Sequence, residues 1–584
     1  MLEKMGRNDK LKGNLSRMRI LGVALLAAAG GSLLVPLLAK DAGATVSLKN
    51  GNFFLSYTDF VYPGGFVPKV ERIYNSKSSY TTGMFGPGWG FEYEAYLNVS
   101  ADGSVVVHEY GGGAENRFDP AAFNQAELDK AVDVIIAAAR KAGAVASQEG
   151  VDSYRRRLKA DANYRNEEWE KYRRTGKVQA RQLAVGTKLQ SNHYSYQFIT
   201  RTQGGYVRSF ETGKSEYYND AGKLVRIQDK NGNFIALSYN EEGHLDKIVD
   251  NFNRRMFFHF NTKGRVDSIE GENNQKASYQ YDGKGMLSQS KDTNGNVFGF
   301  KYDTSTNDLV PNMTEVTYKD GTNVKISYYG ADKNESVRTY KDRDGTISEY
   351  TYTTNPSDAG NITVAMLVKG ADGKKISSSK YEYFLRHKSD GEEWQYKLIS
   401  TIDGDRTEAT YNECCGLPLL INHNGEETSF QYDTKGHVVK KATPNEVTEL
   451  SYDPTVGKVS KVLKYSKTDK KRVQWSMFKY DPKGNLIQAT NSDRKIVRLF
   501  YNRNGLINNM VDQDRRQIAF KYDENGHPIQ ITDPALGTIT VSYNNSGEIK
   551  KVESTAGRKI AVQVTSAFQN LLDIIRPAGV TLSF

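Results

Sequence analysis

The sequence predicts a mainly β protein: one antiparallel sheet of short hairpins, interrupted by a small helical insertion. Composition and a fixed repeat predict the sheet, and a change of hydrophobic period predicts the insertion. The 584 residues hold 36 Tyr and 52 Gly beside only 14 Pro. Tyr suits a half-buried pleated surface, and Gly supplies the positive φ of tight turns. Charged residues at 25% and aromatics at 11% belong to a packed chain rather than a disordered one, and two cysteines cannot build a disulfide framework.

The repeat is a Tyr or Phe, then Asn or Asp, two residues and a Gly. It recurs from Tyr218 to Gly222, Tyr239 to Gly243, Phe260 to Gly264 and Tyr281 to Gly285, then at Tyr302-Asp303, every step being 21 residues. A second block runs through Tyr411-Asn412, Tyr432 to Gly436, Tyr452-Asp453, Tyr480 to Gly484, Tyr501 to Gly505, Tyr522 to Gly526 and Tyr543 to Gly547, with steps of 21, 20, 28, 21, 21 and 21. Such self-similarity marks repeat architecture. From Gly222, residues 223–228 are predicted as a strand with Val225 and Ile227 on one face and Leu224 and Arg226 on the other. Asp229-Lys230-Asn231-Gly232 turns the chain, and 233–239 returns with Ile235, Leu237 and Tyr239 on one face. Two strands of about six residues and two turns of about four fill the unit. The Asn or Asp is placed to cap turn N–H groups and the Gly to take a φ that a Cβ would forbid. The motif has a complete structural reading and needs no catalytic role.

A second, independent signature lies upstream: Arg72-Ile73-Tyr74-Asn75-Ser76, followed by Gly83-Met84-Phe85-Gly86-Pro87-Gly88-Trp89. With the repeat, it resembles the RHS/YD-repeat family of secreted bacterial proteins, over about three quarters of the mature chain. The resemblance implies a long antiparallel sheet spiralling into a hollow or partial shell, which in several relatives encloses a C-terminal toxin. The toxin-bearing relatives end their repeats in a P-x-x-x-x-D-P-x-G core with self-cleaving aspartates. Here Asp533-Pro534-Ala535-Leu536-Gly537 sits inside an ordinary repeat, at a hairpin turn. The stretch after the last repeat reads as a final strand or plug, too short for a toxin.

Arg7, Lys10, Lys12, Arg17 and Arg19 precede an uncharged stretch from Ile20 to Ala39, and then Ala42-Gly43-Ala44. Basic, apolar and small-residue parts in that order make a secretory leader, with cleavage expected after Ala44. An uncleaved anchor is the alternative, since 20 residues just cross a hydrocarbon core. The leader's seven basic and three acidic residues take the formal +10 down to a mature +6, with no basic run that would argue for nucleic acid. The expected organisation is a leader at 1–44, an N-terminal β region at 45–120, a helical insertion at 121–182, repeats at 183–330, divergent longer hairpins at 331–409, a second repeat block at 410–565, and a C-terminal strand or plug at 566–584.

In the insertion, Leu128, Val132, Ile135, Ile136 and Ala139 lie on one face of a helix that Gly143 ends. Residues 152–174 are expected to form a second helix around Tyr154, Leu158, Trp169 and Tyr172. The pair either packs on the shell or across its opening, or forms a docking arm through Arg155-Arg156-Arg157 and Arg173-Arg174.

Candidate chemistry is sparse. Cys414-Cys415 falls in a repeat turn and reads either as paired thiols or a structural vicinal disulfide, or as a strained redox switch. His244, His437 and His527 each follow a repeat Gly and are expected as surface turn residues. Asp292-Thr293-Asn294-Gly295-Asn296 has the flavour of a calcium loop but lacks its twelfth-position Glu. No catalytic, metal or cofactor site is predicted. Two functions remain: a secreted or envelope-facing scaffold whose shell encloses or presents a separately encoded protein, or a module binding cell-surface glycans through its rows of Tyr. Membrane contact is expected only through an uncleaved N-terminus.

Overall fold

The computed structural model describes residues 44–554, apart from 63, 65, 79–82, 110–113, 121–124, 179–180, 192–195, 304, 306–309, 389–392, 414–415, 470–472, 534–536 and 544–548. Leader residues 1–43, Cys414-Cys415, Gly547 and the segment 566–584 lie outside the described residues. Four strands, β1 (Ala44–Val46), β2 (Phe53–Val61), β3 (Lys69–Asn75) and β4 (Trp89–Phe91), pair antiparallel in chain order as a small separate sheet. The remaining thirty-six, from Tyr96–Val99 to Ile549–Ser554, form one ladder in which each strand pairs antiparallel with its neighbours in sequence.

The ladder is an open spiral. Among the described residues Ile549–Ser554 pairs only with Gly537–Tyr543, while the beginning curls back early: Leu97 N–H donates to Gly222 O at 2.8 Å and Tyr96 bridges Lys223. The next revolution is wider. Lys230 Nζ donates to Gly484 O at 2.7 Å, Asn485 Nδ2 to Asn231 Oδ1 at 2.9 Å, and Asn233 Nδ2 to Asn504 O at 2.8 Å. Twenty-one strands, Phe234–Tyr239 through Val473–Tyr480, lie between the first two contacts. At about 4.8 Å per strand they enclose a circumference of ~100 Å, or ~32 Å across. The hairpin turns of one revolution thus rest on the Tyr-Asp turns of the next.

Each repeat contains a bulge that simple alternation misses. Tyr217 pairs with Arg226 but Tyr218 with Leu224, leaving Val225 as the extra residue. The expected faces are therefore corrected: Leu224 and Ile227 are both buried, and Val225 does not share their face. The same shift recurs at Tyr239/Leu245, Phe260/Val266, Tyr281/Leu287, Tyr432/Val438, Tyr480/Leu486, Tyr501/Ile507 and Tyr522/Pro528. A bulge raises local twist and bends its strand. Repeated with one sense, it curls the sheet.

The Tyr side chains hold that curl. Tyr239 OH donates to Leu224 O at 2.6 Å, Tyr281 to Val266 at 2.7 Å, Tyr302 to Leu287 at 2.8 Å, Tyr432 to Pro418 at 2.6 Å, Tyr501 to Leu486 at 2.7 Å and Tyr522 to Ile507 at 2.6 Å. Each acceptor is the residue paired with the preceding repeat's aromatic, so every hydroxyl reaches back one hairpin. Burial pushes Tyr501 and Tyr522 up to about 12, which keeps the hydroxyls as donors at ordinary pH. In the turns, Asp433 Oδ1 accepts the N–H groups of Lys435 (2.8 Å) and His437 (2.9 Å), and Asp481 those of Lys483 (2.9 Å) and Asn485 (2.8 Å). The described repeat glycines have φ between +71° and +88°.

The insertion forms three helices, α1 (Gln125–Lys141), α2 (Gln148–Ala160) and α3 (Ala162–Arg174). The expected single second helix is broken because the Asp161 carboxylate accepts the Tyr164 N–H at 2.9 Å and caps α3. Flanking strands Ala114–Asp119 and Lys188–Ser191 still pair, so the helices emerge from one hairpin. They pack on the wall through Trp169 Nε1, which donates to Val99 O at 3.1 Å, and through Asn98 Nδ2, which donates to Glu170 Oε1 at 2.7 Å. Most of the arginines proposed for docking have internal partners: Arg155 pairs with Asp133, Arg173 with Glu170, and Arg157 stacks 3.7 Å from the Tyr164 ring. Between 347 and 402 the hairpins lengthen to strands of 9 to 13 residues while pairing continues. Replacing Tyr501 or Tyr522 by Phe is expected to cost about 1 kcal/mol each, read as a lower thermal midpoint with unchanged far-UV circular dichroism.

Candidate functional site

The small sheet packs as a plug on the first repeat block of the wall. Phe53, Leu55, Phe60, Phe85, Trp89 and Phe91 share one core with wall residues Ile235, Leu237, Phe258, Tyr279, Phe300 and Met313. Ile235 and Leu237 lie on the same strand face as Tyr239, so the Tyr face of the repeats is the concave one.

The upstream signature is the heart of this plug. Arg72, on β3, is fully buried and forms a bidentate pair with Asp59 of β2, with Nη2 to Oδ1 at 2.9 Å and Nε to Oδ2. Nη2 also donates to Ser290 Oγ of the wall at 2.8 Å, and Tyr279 OH donates to Asp59 Oδ2 at 3.0 Å. The guanidinium lies 4.6 Å from the Trp89 ring, 5.3 Å from Tyr279 and 5.6 Å from Phe85. Nη1 has no hydrogen-bond acceptor; the surrounding ring faces supply its electrostatic company. Burial alone would lower the guanidinium's proton affinity, but the Asp59 carboxylate more than offsets it and holds Arg72 above the ordinary arginine value.

The other signature residues bind plug to wall. Tyr74 Oη accepts the Met313 N–H at 2.9 Å, and Trp89 Nε1 donates to Tyr302 Oη at 2.9 Å. Tyr302, a repeat Tyr, donates its own hydroxyl to Leu287 O at 2.8 Å. Asn75 N–H donates to Gly88 O at 2.8 Å, and Ser76 Oγ accepts the Phe53 N–H and donates to Asn52 Oδ1, both at 2.9 Å. Gly88 has φ +77°, and a Cβ there would lie 2.7 Å from the Tyr74 ring; one on Gly86 would lie 2.8 Å from Gly285 O. Sequence reading located these residues without showing what they touch.

Two expectations about histidines are corrected. His437 and His527 are buried, not surface, because each ring lies over the next repeat's Tyr: His437 on Tyr452 at 4.5 Å and His527 on Tyr543 at 4.7 Å. His244 stacks on Phe260 in the same way at 4.8 Å. Asp292 caps its own hairpin through the N–H groups of Asn294 (2.9 Å) and Asn296 (2.8 Å), and no cluster of metal-ligating side chains occurs among the described residues.

A profile described as Teneurin YD-shell matches residues 402–582, and one described as Domain of unknown function (DUF6531) matches residues 43–118. The first covers the second repeat block and the second covers the plug. The chain is an RHS/YD-repeat protein. No curated protein sequence matches it. Among solved structures, the Photorhabdus luminescens Tc holotoxin pore is similar at 13% identity and TM-score 0.36, over 86% of this chain and 29% of that one. The TcdB2-TccC3 structure is similar at 13% identity and TM-score 0.37, over 87% and 30%. This YD-repeat chain thus spans about a third or less of the chains it resembles.

One carboxyl at the plug's end stands apart. Burial pushes Glu94 up to about 8, against the Met84 N–H, which Oε1 accepts at 2.7 Å, and against Arg265; Oε2 is enclosed without a partner. The folded state keeps a proton that an unfolded Glu releases near pH ~4.3. Its stabilising contribution is therefore complete below that pH and lost as pH rises through about 8. The thermal midpoint of the native chain is expected to fall between about pH 5 and pH 9, and less so in Glu94→Gln. Asp59→Asn, which leaves Arg72 buried without its carboxylate, is expected to cost about 3–5 kcal/mol, measured by the same melts.

Proposed function

We propose that this YD-repeat protein is a non-enzymatic shell scaffold, secreted or facing outward at the cell envelope, that encloses or presents a separately made protein in competition at cell surfaces. One observation carries the reading. The concave face of the second block has its own apolar cluster of Val462, Phe478, Val497, Leu499, Met510 and Ile518, separate from the core that the plug completes. The plug covers the apolar face of the first repeat block, whereas the second block carries a buried apolar cluster in which the plug has no part.

Size limits the partner. A wall ~32 Å across loses about 5 Å per side to side chains and leaves roughly 22 Å. A folded 100-residue domain, with a radius of gyration of ~13 Å, is wider than that. The reading therefore favours a short, extended or unfolded partner over a folded enzyme. The rows of Tyr favour a protein over a glycan, because their rings face inward and their hydroxyls are bonded to carbonyls. Export rests on the leader sequence at residues 7–44.

The test is to purify the tagged full chain from its own cell envelope in mild detergent, and to identify its N-terminus and companions by mass spectrometry. A stoichiometric small protein and a mature start at Thr45 are expected. Recovery of the chain alone, or with glycan attached, would overturn the proposal.

A further inference from the structure

At 437 and 485 the residue after the repeat Gly of the second block sits where two revolutions meet. At 485 it is Asn, and its Nδ2 donates both to Asp481 Oδ2 of its own turn and to Asn231 Oδ1 of the previous revolution, each at 2.9 Å. At 437 the same place is taken by His. Its Nδ1 lies 2.9 Å from Asp433 Oδ2 of its own turn, and its Nε2 contacts Glu211 Oε1 of the previous revolution, 226 residues away in sequence. The arrangement is the same, but the chemistry differs. An amide carries two N–H groups at every pH, whereas an imidazole carries two only when protonated.

We propose that His437 is a proton-dependent fastener between successive revolutions of the shell. Both of its ring nitrogens face carboxylate oxygens, which accept and do not donate when ionised. To be bonded on both sides the contact therefore needs a proton on each ring nitrogen, or one ring proton and one on Glu211. In acid the seam is bonded on both sides. With only one ring proton, one nitrogen is left with its lone pair against a carboxylate, and the cross-revolution bond is lost.

The surroundings isolate this proton. The ring is enclosed between Tyr452, 4.5 Å away, and Tyr196, 6.0 Å away, both close to parallel with it. Burial opposes ionisation of Asp433, but the N–H and ring of His437 and the Lys435 N–H hold it below the usual carboxylate range. On the far side, Glu211 also faces Gly457 and the neighbouring Lys458, which burial and then Lys230 push down to about 8, with Asp481 and Glu211 pulling the other way. His527 provides an internal contrast: its Nδ1 bonds Asp523 Oδ2 at 2.7 Å, but its Nε2 is enclosed without a partner, beside Gly64 instead of a carboxylate. The fastener belongs to the wall and does not depend on whether the shell carries a partner.

Hydrogen exchange of the full chain at about pH 5 and 7, both below the Lys458 value of about 8 and corrected for intrinsic rates, reads the seam directly. Amides in 210–214 and 433–437 are expected to be about tenfold better protected at the lower pH, and those in 229–233 and 481–485 equally protected at both. His437→Asn is expected to remove the difference. So is Glu211→Gln, whose amide can donate to a neutral Nε2 while Nδ1–H keeps Asp433; it decides the matter if the first variant does not fold. No difference in the native chain, or one that persists in the variants, would overturn the proposal.

Discussion

A tyrosine hydroxyl that reaches back one hairpin to a carbonyl is the interaction on which this wall depends. An antiparallel sheet of short hairpins can lie nearly flat or twist into many shapes, and only a bend repeated with one sense makes it spiral. The bulge after each Tyr-Asp turn supplies the bend, and the hydroxyl ties the bent strand to its predecessor. The two are separable. Phe260 has no hydroxyl, yet its bulge with Val266 forms like the others. Turn chemistry therefore creates the curvature and the Tyr holds it, which explains why a repeat of 21 residues tolerates steps of 20 and 28 in the second block while keeping Tyr432, Tyr452 and Tyr480 in place.

The plug answers a different problem. Curling a sheet leaves a concave apolar face that must be covered, and over the first repeat block β2 and β3 cover it with aromatic side chains. A buried cation at the centre costs several kcal/mol of desolvation unless it is fully paired. Arg72 has a bidentate carboxylate, a wall hydroxyl and ring faces around it. The ion pair with Asp59 forms within the plug, but Ser290 and Tyr279 come from the wall, so its remaining hydrogen bonds are completed only when plug and wall are assembled. That arrangement selects one seating of the plug and disfavours slipped ones.

Much of this was legible in the sequence, and the failures have physical causes. Period, turn chemistry and glycine positions come from local backbone rules, and Tyr480-Asp481 to Gly484 announces its turn without any partner. The bulge was missed because alternation in Leu224 to Gln228 assumes an even pleat, and one extra residue reverses the parity. The break at Asp161 was missed because a charged residue in a charged helix reads as solvated, although a cap needs only one carboxylate in the right place. The burial of His437 and His527 could not be read at all. It depends on rings of the next repeat and on distant chain, Glu211 for His437 and Gly64 for His527, which leave no local trace in the sequence. The N-terminal signature stands out in the sequence, but its place at the junction of plug and wall depends on Ser290 and Tyr279, more than 200 positions later.

Stacking turn on turn has a consequence for how such a chain can evolve. Repeats arise by duplication, and adding one hairpin pair costs nothing locally, since each unit caps its own turns. The spiral, however, must come round so that Asn485 meets Asn231 and Lys230 meets Gly484 after twenty-one strands. Inserting a unit between them advances the outer revolution by two strands and offers every stacked turn a different neighbour. Gear-like phasing of this kind makes repeat number a heritable dimension of the protein. Units can be gained freely beyond the overlapping arc, but within it only in steps that restore the mesh.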